Sequence, residues 1–570
     1  MTRHLSSRVK SRPSFSGVCL TVLVLSAACR PGDPEPAANS GGGTLIVAEP
    51  TDVRTLYPPA IDRAFDFAVA NSLYDRLAEI GDDLNTLSDA GYTPRLADTW
   101  VWAADSLSIA FNLNPRARWH DTQPVRAEDV RFTFRAYTDT AGISVNGSYL
   151  SNIDSVSVRD SLTPVVWFKR RAPQQFFDAT YHMYILPSHR LAGIPMAKLG
   201  RDSLTAKPVG SGRFRFVSRE DSKHIDMVSD TGNYRGRAKL DRVVWAVSAN
   251  LQGATLSVFG GDADFFEKLQ PEDLGQVAKS PDLKLLPYLQ AGYAFLTFNL
   301  KANGDSTKPH PIFGDVRVRR ALSMAVNRPA SAMSVLDTFA VASFGPAPRM
   351  MFQNPAALKE LPFDVAHAKA LLDSAGWIVP GGKADRGKAE RSKDGVPLAF
   401  EIVLPNTSKP RLHYATLLAD QFREVGATAT VRGIETSLMG PAVGMGRFDT
   451  YLGALTVTPG LKGMTQSWGG RGVHGLNYGW YANSRFDATV DSALAAFTPS
   501  KSSDLWVRAF QVILDDAPAI WLYEERNLGV LHKRIQVAPM RADAWYANLA
   551  DWSVNPAQRI ARDKNSGAVR

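Results

Sequence analysis

The amino-acid sequence predicts a mixed α/β protein built from two or three domains, and three observations lead there. The chain is 570 residues long, more than a single hydrophobic core organises. Short apolar strand patterns alternate with amphipathic helix patterns along most of its length. No short-period internal repeat runs through it, which argues against a solenoid. With 45% hydrophobic and 21% charged residues, and 12 Trp, 16 Tyr and 27 Phe to bury, the composition is that of a folded chain.

The elements follow in order. "GTLIVAEP" (Gly43–Pro50) opens the fold as an apolar strand. "NSLYDRLAEI" (Asn71–Ile80) places Leu73, Leu77 and Ile80 at helical spacing behind the cap residue Asn71. In "LSIAFNL", Leu107, Ile109, Phe111 and Leu113 alternate with smaller or polar residues and predict a strand. "RAEDVRFTFRAYTD" reads as a helix, with Val130, Phe134 and Tyr137 on one stripe and Glu128 and Asp129 at its positive end. Pro164–Phe168, Arg213–Val217, Ile225–Val228 and Val243–Val247 read as further strands. From Gly292 the order is strand ("YAFLTFNL"), helix capped by Asp315, helix ended by Gly376, strand ("PLAFEIVLP"), helix ended by Gly426, strand ("TATVRGI"). The charged stretch Val379–Gly395 is a loop.

The N-terminus reads as an export signal. Arg3, Arg8, Lys10 and Arg12 precede the apolar run Gly17–Ala28, too short to span a bilayer. Small residues Ser26, Ala27 and Ala28 lead into Cys29, in the manner of a bacterial lipobox that lipidates Cys29. Leu25 stands one place further back than usual, and ordinary signal-peptide cleavage is the alternative. Cys19 and Cys29 are the only cysteines, so no disulfide framework or CxxC site exists. Arg30–Gly43 is rich in Pro, Gly and small polar residues and predicts a tether. Of the formal charge of +9, four belong to the leader, leaving a weakly basic chain without Lys/Arg runs and without a nucleic-acid signature.

Catalytic signatures are missing. There is no GxSxG, HExxH or Walker loop, and "GPAVGMG" (Gly440–Gly446) lacks dinucleotide spacing. His120–Asp121 could be a base with its orienting carboxylate, but a turn in "WHDTQP" is the expectation, since adjacent side chains point apart. His182 and His189 are expected to be surface histidines rather than a metal pair.

Six segments then occur in the order of a known family. They are "PRLADTWVWAADSLSIAFNLNPRARWHDTQPVRAEDVRFTF" from Pro94, "KPVGSGRFRF" (Lys207–Phe216), "GNYRGRAKLDRVVWAV" (Gly232–Val247), "GGDADF" (Gly260–Phe265), "FNL" with "FGDVRVRRALSMAVNR", and "AKALLDSAGW". The chain resembles family 5 of the extracellular solute-binding proteins, the peptide- and nickel-binding components of ABC importers. The resemblance implies an α/β, two-lobed periplasmic-binding-protein fold of class II, or cluster C, type with an extra accessory α+β domain, in which the Trp-rich stretch is scaffold. It implies residues 1–28 as signal peptide and 29–43 as tether. Lobe I comprises 44–57, 208–291 and 525–560, the accessory domain 58–207, and lobe II 292–524. It further implies a monomeric, membrane-anchored periplasmic or cell-surface receptor. Such a receptor has no cofactor or metal and no catalysis, and passes an oligopeptide-like solute to a permease. Other readings are a nickel-chelate, haem or saccharide binder on the same fold, an exported hydrolase, and a sensor that signals without transport.

The ligand site carries one departure. In "RFDTYLGALTVTPG" (Arg447–Gly460), Phe448–Asp449 match the family motif, Ala454–Leu455 stand in place of Gly-Trp, and Thr458 stands where peptide binders carry an amine-binding Asp. A desolvated ammonium without a buried anion costs several kcal/mol, which argues against a free-amino peptide and leaves a blocked or cyclic peptide, a saccharide, or a lost uptake role as the alternatives. Candidates for ligand contact are Thr458, Tyr293 and Asn299 near the start of lobe II, and Trp468, Arg471, Asn477 and Tyr478 in a Gly-rich aromatic stretch suited to stacking and anion pairing.

Overall fold

The computed structural model describes residues 42–201, 206–303, 305–352, 355–380, 390–406, 408–473 and 475–564. Cys29, the signal peptide and most of the tether lie outside them. Twelve strands of the described residues share one sheet. From one edge its order is Thr428–Ile434, Ala399–Pro405, Thr450–Thr456, Gly292–Phe298, Ala519–His532, Phe265–Phe266, Thr44–Glu49, Arg242–Val247, His224–Ser229 and Phe214–Glu220; Leu283–Leu289 and Ala340–Ala342 also pair with Ala519–His532. The central pair Thr44–Glu49 and Arg242–Val247 is parallel, in register from Thr44↔Arg242 to Glu49↔Val247.

Ala519–His532 joins the two lobes of this α/β fold. Its first part, Ala519–Tyr523, pairs with Thr297–Ala294, and its last part, Arg526–His532, pairs with Leu289–Leu283. Between them Tyr523–Glu525 also pairs with Ala342–Ala340. The residues account for this. "AIWLY" and "LGVL" are buried runs, whereas Glu524, Glu525, Arg526 and Asn527 between them are half-buried or exposed. Each apolar run enters a different core, Ile520 and Leu522 one and Leu528 and Val530 another, and the polar middle lies between. The second connection between lobes is the short passage from Leu283–Leu289 into Gly292–Phe298.

A separate four-stranded antiparallel sheet, Ala97–Trp102, Ser108–Leu113, Thr163–Phe168 and Ile153–Asp160, carries the Trp-rich stretch. Each tryptophan of that stretch spends its N–H on a carboxylate. Trp100 and Trp102 donate to Asp89 Oδ2 at 2.9 and 3.1 Å, and Trp119 donates to Asp129 Oδ2 at 3.2 Å. Asp129 also caps the helix Ala127–Thr138 by accepting from Arg126 N at 2.8 Å. These residues pack and brace the sheet.

One predicted helix is displaced. The chain is helical over Ala64–Leu73, not Asn71–Ile80, and Tyr74 turns extended at φ −118° and ψ 147°. Leu77 and Ile80 are buried from irregular chain, because distant backbone claims the carbonyls that a helix would use. Leu73 O accepts from Gly212 N at 2.8 Å, and Leu77 O accepts from Ala97 N at 3.0 Å. Conversely, a helix at Thr436–Gly444 runs into the Gly-rich stretch despite Pro441 inside it.

Lobe I is tied off by an ion cluster. Arg534, two residues past the end of the spanning strand and fully buried, donates from Nη1 to both Asp563 oxygens at 2.7 and 2.8 Å. From Nη2 it donates to Asp264 Oδ1 at 2.8 Å and to Thr44 O at 3.0 Å. Asp563 accepts from Thr44 N and Asp264 from Ile46 N, each at 2.9 Å, so the first strand and the C-terminal helix meet on one guanidinium. Arg534→Met leaves two buried carboxylates without their shared partner. We expect it to lower unfolding free energy by about 3–5 kcal/mol in urea titrations, whereas Arg471→Ala, which breaks an exposed pair with Asp491, changes it by less than about 1 kcal/mol.

Candidate ligand-binding cleft

At the crossing of the two lobes lies a cavity of about 360 Å³. Lobe I contributes the turn Lys268–Pro271 and the far half of the spanning strand. Lobe II contributes the end of the helix Arg328–Leu336 and the start of the helix Lys409–Glu424, where Ser408 caps and Arg411 projects. Tyr523 and Glu525 come from the middle of the spanning strand, and Gln290 from the second connection.

The polar groups of the wall differ in how well they are satisfied. On the lobe I side, Asn527 Nδ2 donates to Tyr288 Oη at 2.9 Å, Tyr288 donates to Glu267 Oε2 at 3.0 Å, and Lys268 pairs with Glu267 at 3.2 Å. Glu267 raises the Lys268 pKa, and burial followed by the charge of Glu267 raises that of Glu49 behind them. On the lobe II side, Tyr523 packs against Tyr414 with ring centroids 5.0 Å apart. Burial, aided by Glu525, pushes the Tyr523 phenol up. Burial also raises the Glu525 carboxyl, against the opposing pull of Arg411. Arg411 Nε is sealed from water with no hydrogen-bond partner.

None of the seven residues singled out in the sequence lines this cavity. Trp468 and Tyr293 are both 3% exposed and joined to each other, Trp468 Nε1 donating to Tyr293 Oη at 2.8 Å within a core shared with Phe295 and Trp521. Asn299 is fully buried and donates to Gly446 O and Phe448 O at 2.9 and 2.8 Å. Asn477 donates to Gly469 O and Tyr481 O at 2.9 and 2.7 Å, holding the Gly-rich loop in shape. Tyr478 is half-buried with its ring against Tyr451, and Arg471 is exposed on the outer surface. Thr458 is exposed, just past the strand Thr450–Thr456. That strand reaches the cavity through Thr456, whose Oγ1 accepts from Gln290 Nε2 at 3.0 Å. Arg411, Tyr523 and Glu525 were missed. Arg411 sits at a helix start and Glu525 in a strand, and neither position signals a cavity until the lobes are assembled.

The three histidines singled out in the sequence are held by local contacts. His120 Nδ1 accepts from Gly210 N–H at 3.1 Å, which fixes the ring proton on Nε2, where it is donated to Gly212 O at 2.9 Å. Burial lowers its pKa. Asp121 points away and accepts from His189 at 2.9 Å, so the turn reading of this pair stands. His182 is not the surface histidine expected. It stacks on Tyr149 at 4.4 Å, and burial lowers its pKa to about 3. It is half-buried, with Tyr149, Phe177 and Tyr181 around it. Among the described residues no group of three His, Cys, Asp or Glu is placed to hold a metal ion.

A two-lobed binding protein, its lobes joined by two crossing segments with a cavity between them, is the class that this geometry defines. The chain belongs to the bacterial extracellular solute-binding proteins, family 5; the family's "Middle" model matches residues 91–470. It is 25% identical over 496 residues to the oligopeptide-binding protein AppA of Bacillus subtilis, covering 85% of this chain and 87% of that protein. It is 23% identical over 519 residues to heme-binding protein A of Haemophilus influenzae, covering 85% and 88%. The same fold occurs in the ABC transporter substrate-binding protein CtaP of Listeria monocytogenes, with a TM-score of 0.78, 18% identity and coverage of 90% and 100%. It also occurs in NikZ of Campylobacter jejuni, solved with Ni(L-His), with a TM-score of 0.72, 19% identity and coverage of 90% and 99%.

The loop beyond Thr458 touches the accessory domain. Gly460, at φ 103°, could not carry a Cβ without meeting Gln174 Nε2 at 3.0 Å. Gln174 precedes the helix Gln175–Thr180, in which burial pushes the Asp178 carboxyl up to about 7, against the pull of Lys462 and Arg170. An acid whose folded pKa lies above its unfolded value penalises the folded state as pH rises from about 3.8 to about 7. Asp178→Asn removes that penalty. Its melting temperature should exceed that of the parent at pH 8, by the equivalent of about 2–4 kcal/mol, and coincide with it at pH 3.5.

Proposed function

We propose that the protein is a solute-capturing receptor of an ABC importer, that it takes an oligopeptide-like solute between its lobes, and that it hands the solute to a permease without changing its covalent bonds. The observation that carries this reading is the cavity at the crossing, lined by both lobes and backed by the strand they share. We take lobe I as 44–57, 208–291 and 525–560, lobe II as 292–524 and the accessory domain as 58–207. Relatives named as oligopeptide- and peptide-binding proteins support the solute class.

The mechanism follows from the connections. The two lobes rotate about Leu289–Gly292 and Tyr523–Asn527 while each keeps its own core. A solute touching both walls gains its full contacts only when the lobes close, so its differential affinity for the closed form drives closure. The closed, loaded monomer is the form that the permease reads. A diacylated Cys29 would hold the receptor on a membrane through the Arg30–Gly43 tether, while leaving the lobes free to move.

Two measurements test this. Native mass spectrometry of freshly purified protein is expected to show a bound peptide in the mass range of a few residues, and its release to increase the radius of gyration in small-angle scattering. An unchanged scattering curve with and without the bound solute would overturn the closing-clamp reading. For the anchor, Cys29→Ala expressed in a diderm bacterium should move the protein from the membrane fraction to the soluble periplasmic fraction. Retention on the membrane would exclude a lipid on that residue.

A further inference from the structure

A second cavity, of about 60 Å³, lies where residues 71–79 and Arg95 meet Arg213, Arg235 and the C-terminal residues 546–551. It shares no lining residue with the interlobe cavity. The charged groups in its wall are four arginines, Arg76, Arg95, Arg213 and Arg235, and three carboxylates, Asp75, Glu79 and Asp551. Each carboxylate is already claimed. Arg213 Nη1 donates to Asp551 Oδ1 at 2.7 Å, while its Nε and Nη2 donate to the carbonyls of Gly236 and Arg237 at 3.2 and 2.8 Å. Asp75 accepts from Arg235 Nη2, and from Tyr234 Oη at 3.0 Å. Glu79 accepts from Arg76 Nη1 at 3.2 and 3.3 Å and from Arg541 Nη1 at 2.8 Å. Arg541, outside the wall, brings its own counter-ion, Asp543, at 2.5 Å.

Arg95 is left over. It makes no side-chain hydrogen bond among the described residues, and its one ion-pair approach, to Glu79, is 4.0 Å. Its side chain is 21% exposed. Leu96 N donates to Arg76 O at 3.1 Å and Arg95 N to Leu77 O at 3.3 Å, which sets Arg95 beside a second guanidinium. Burial, and next the like charge of Arg235, depress its proton affinity. A lysine or histidine so placed sheds its proton, but a guanidinium keeps it at any working pH. One positive charge in the wall is therefore without a counter-ion supplied by the protein, and buried charges are costly unless paired.

The surplus selects the occupant. A cation adds to it, and a neutral molecule leaves it uncompensated. A divalent anion overshoots a surplus of one and meets Asp75 and Glu79 in the same wall. A cavity of about 60 Å³ has room for a monatomic ion and a few waters, not for a peptide or a sugar. We propose that this cavity binds a small monovalent anion of the halide class, that Arg95 donates to it, and that the bound ion ties residues 71–95 to Arg235 and residues 546–551. The site is separate from the one that takes the solute, and its test requires no solute.

For that test, the full-length protein is melted in sodium chloride, sodium bromide and sodium gluconate at one ionic strength, gluconate being too large for the cavity. The parent should melt higher in either halide than in gluconate, saturably and by about 2 °C. Arg95→Gln should lose this halide advantage. Arg471→Ala, which removes only an exposed pair with Asp491, should keep it. Crystals of the parent grown in bromide give a second readout that stands even where Arg95→Gln does not fold. An anomalous peak beside the Arg95 guanidinium is expected, and ordered water alone at that place would overturn the inference. So would a parent indifferent to halide, or a halide advantage that survives in Arg95→Gln. The receptor reading stands whichever way these fall.

Discussion

Ala519–His532 is hydrogen-bonded into both lobes, and that single constraint shapes the molecule. A strand cannot break in its middle without exposing backbone groups, so the two halves of the sheet are held in fixed register on either side of the segment where pairing partners change. The polar residues Glu524–Asn527 fall at that segment, because a continuous apolar strand would have drawn the two cores into one. The cavity exists because the strand passes from one core to another, and its polar middle forms the cavity's back wall.

The ends of that strand are secured differently. Toward lobe II it is held by packing, with Ile520, Leu522 and Tyr523 in a large apolar core. Toward lobe I it runs into Arg534, whose guanidinium gathers Asp264, Asp563 and the backbone of Thr44. A fully buried ion cluster gains little net energy over apolar packing, but it accepts only one geometry. Here it fixes the first strand, the spanning strand and the C-terminal segment relative to one another.

The cleft shows the opposite use of charge. Lys268, Glu267, Tyr288 and Asn527 satisfy one another and give lobe I a finished wall. On the other wall Arg411 and Glu525 lie near Tyr523 without forming an ion pair with each other. Burial raises the proton affinity of Glu525, against the pull of Arg411. The aromatic residues nearby, Tyr293 and Trp468, instead support the strand that leads to the rim.

Much of the fold was legible in the sequence. Alternation in "LSIAFNL", the stripe of Val130, Phe134 and Tyr137, and the caps Asp315, Gly376 and Gly426 are local signals, set by periodicity and backbone preference, and the elements formed where they predicted. The helix expected at Asn71–Ile80 failed because Gly212 and Ala97, remote in sequence, took its carbonyls. The ring packing of His182 and the burial of Trp468 and Asn299 were equally out of reach, since an aromatic or amide side chain looks the same in sequence whether its partner is a ligand or the core. Order, type and capping of elements were thus determined by the sequence alone, because they depend on neighbours within a few residues. The cavity and the charges facing it were decided only by the tertiary structure, because they depend on which distant segments the spanning strand brings together.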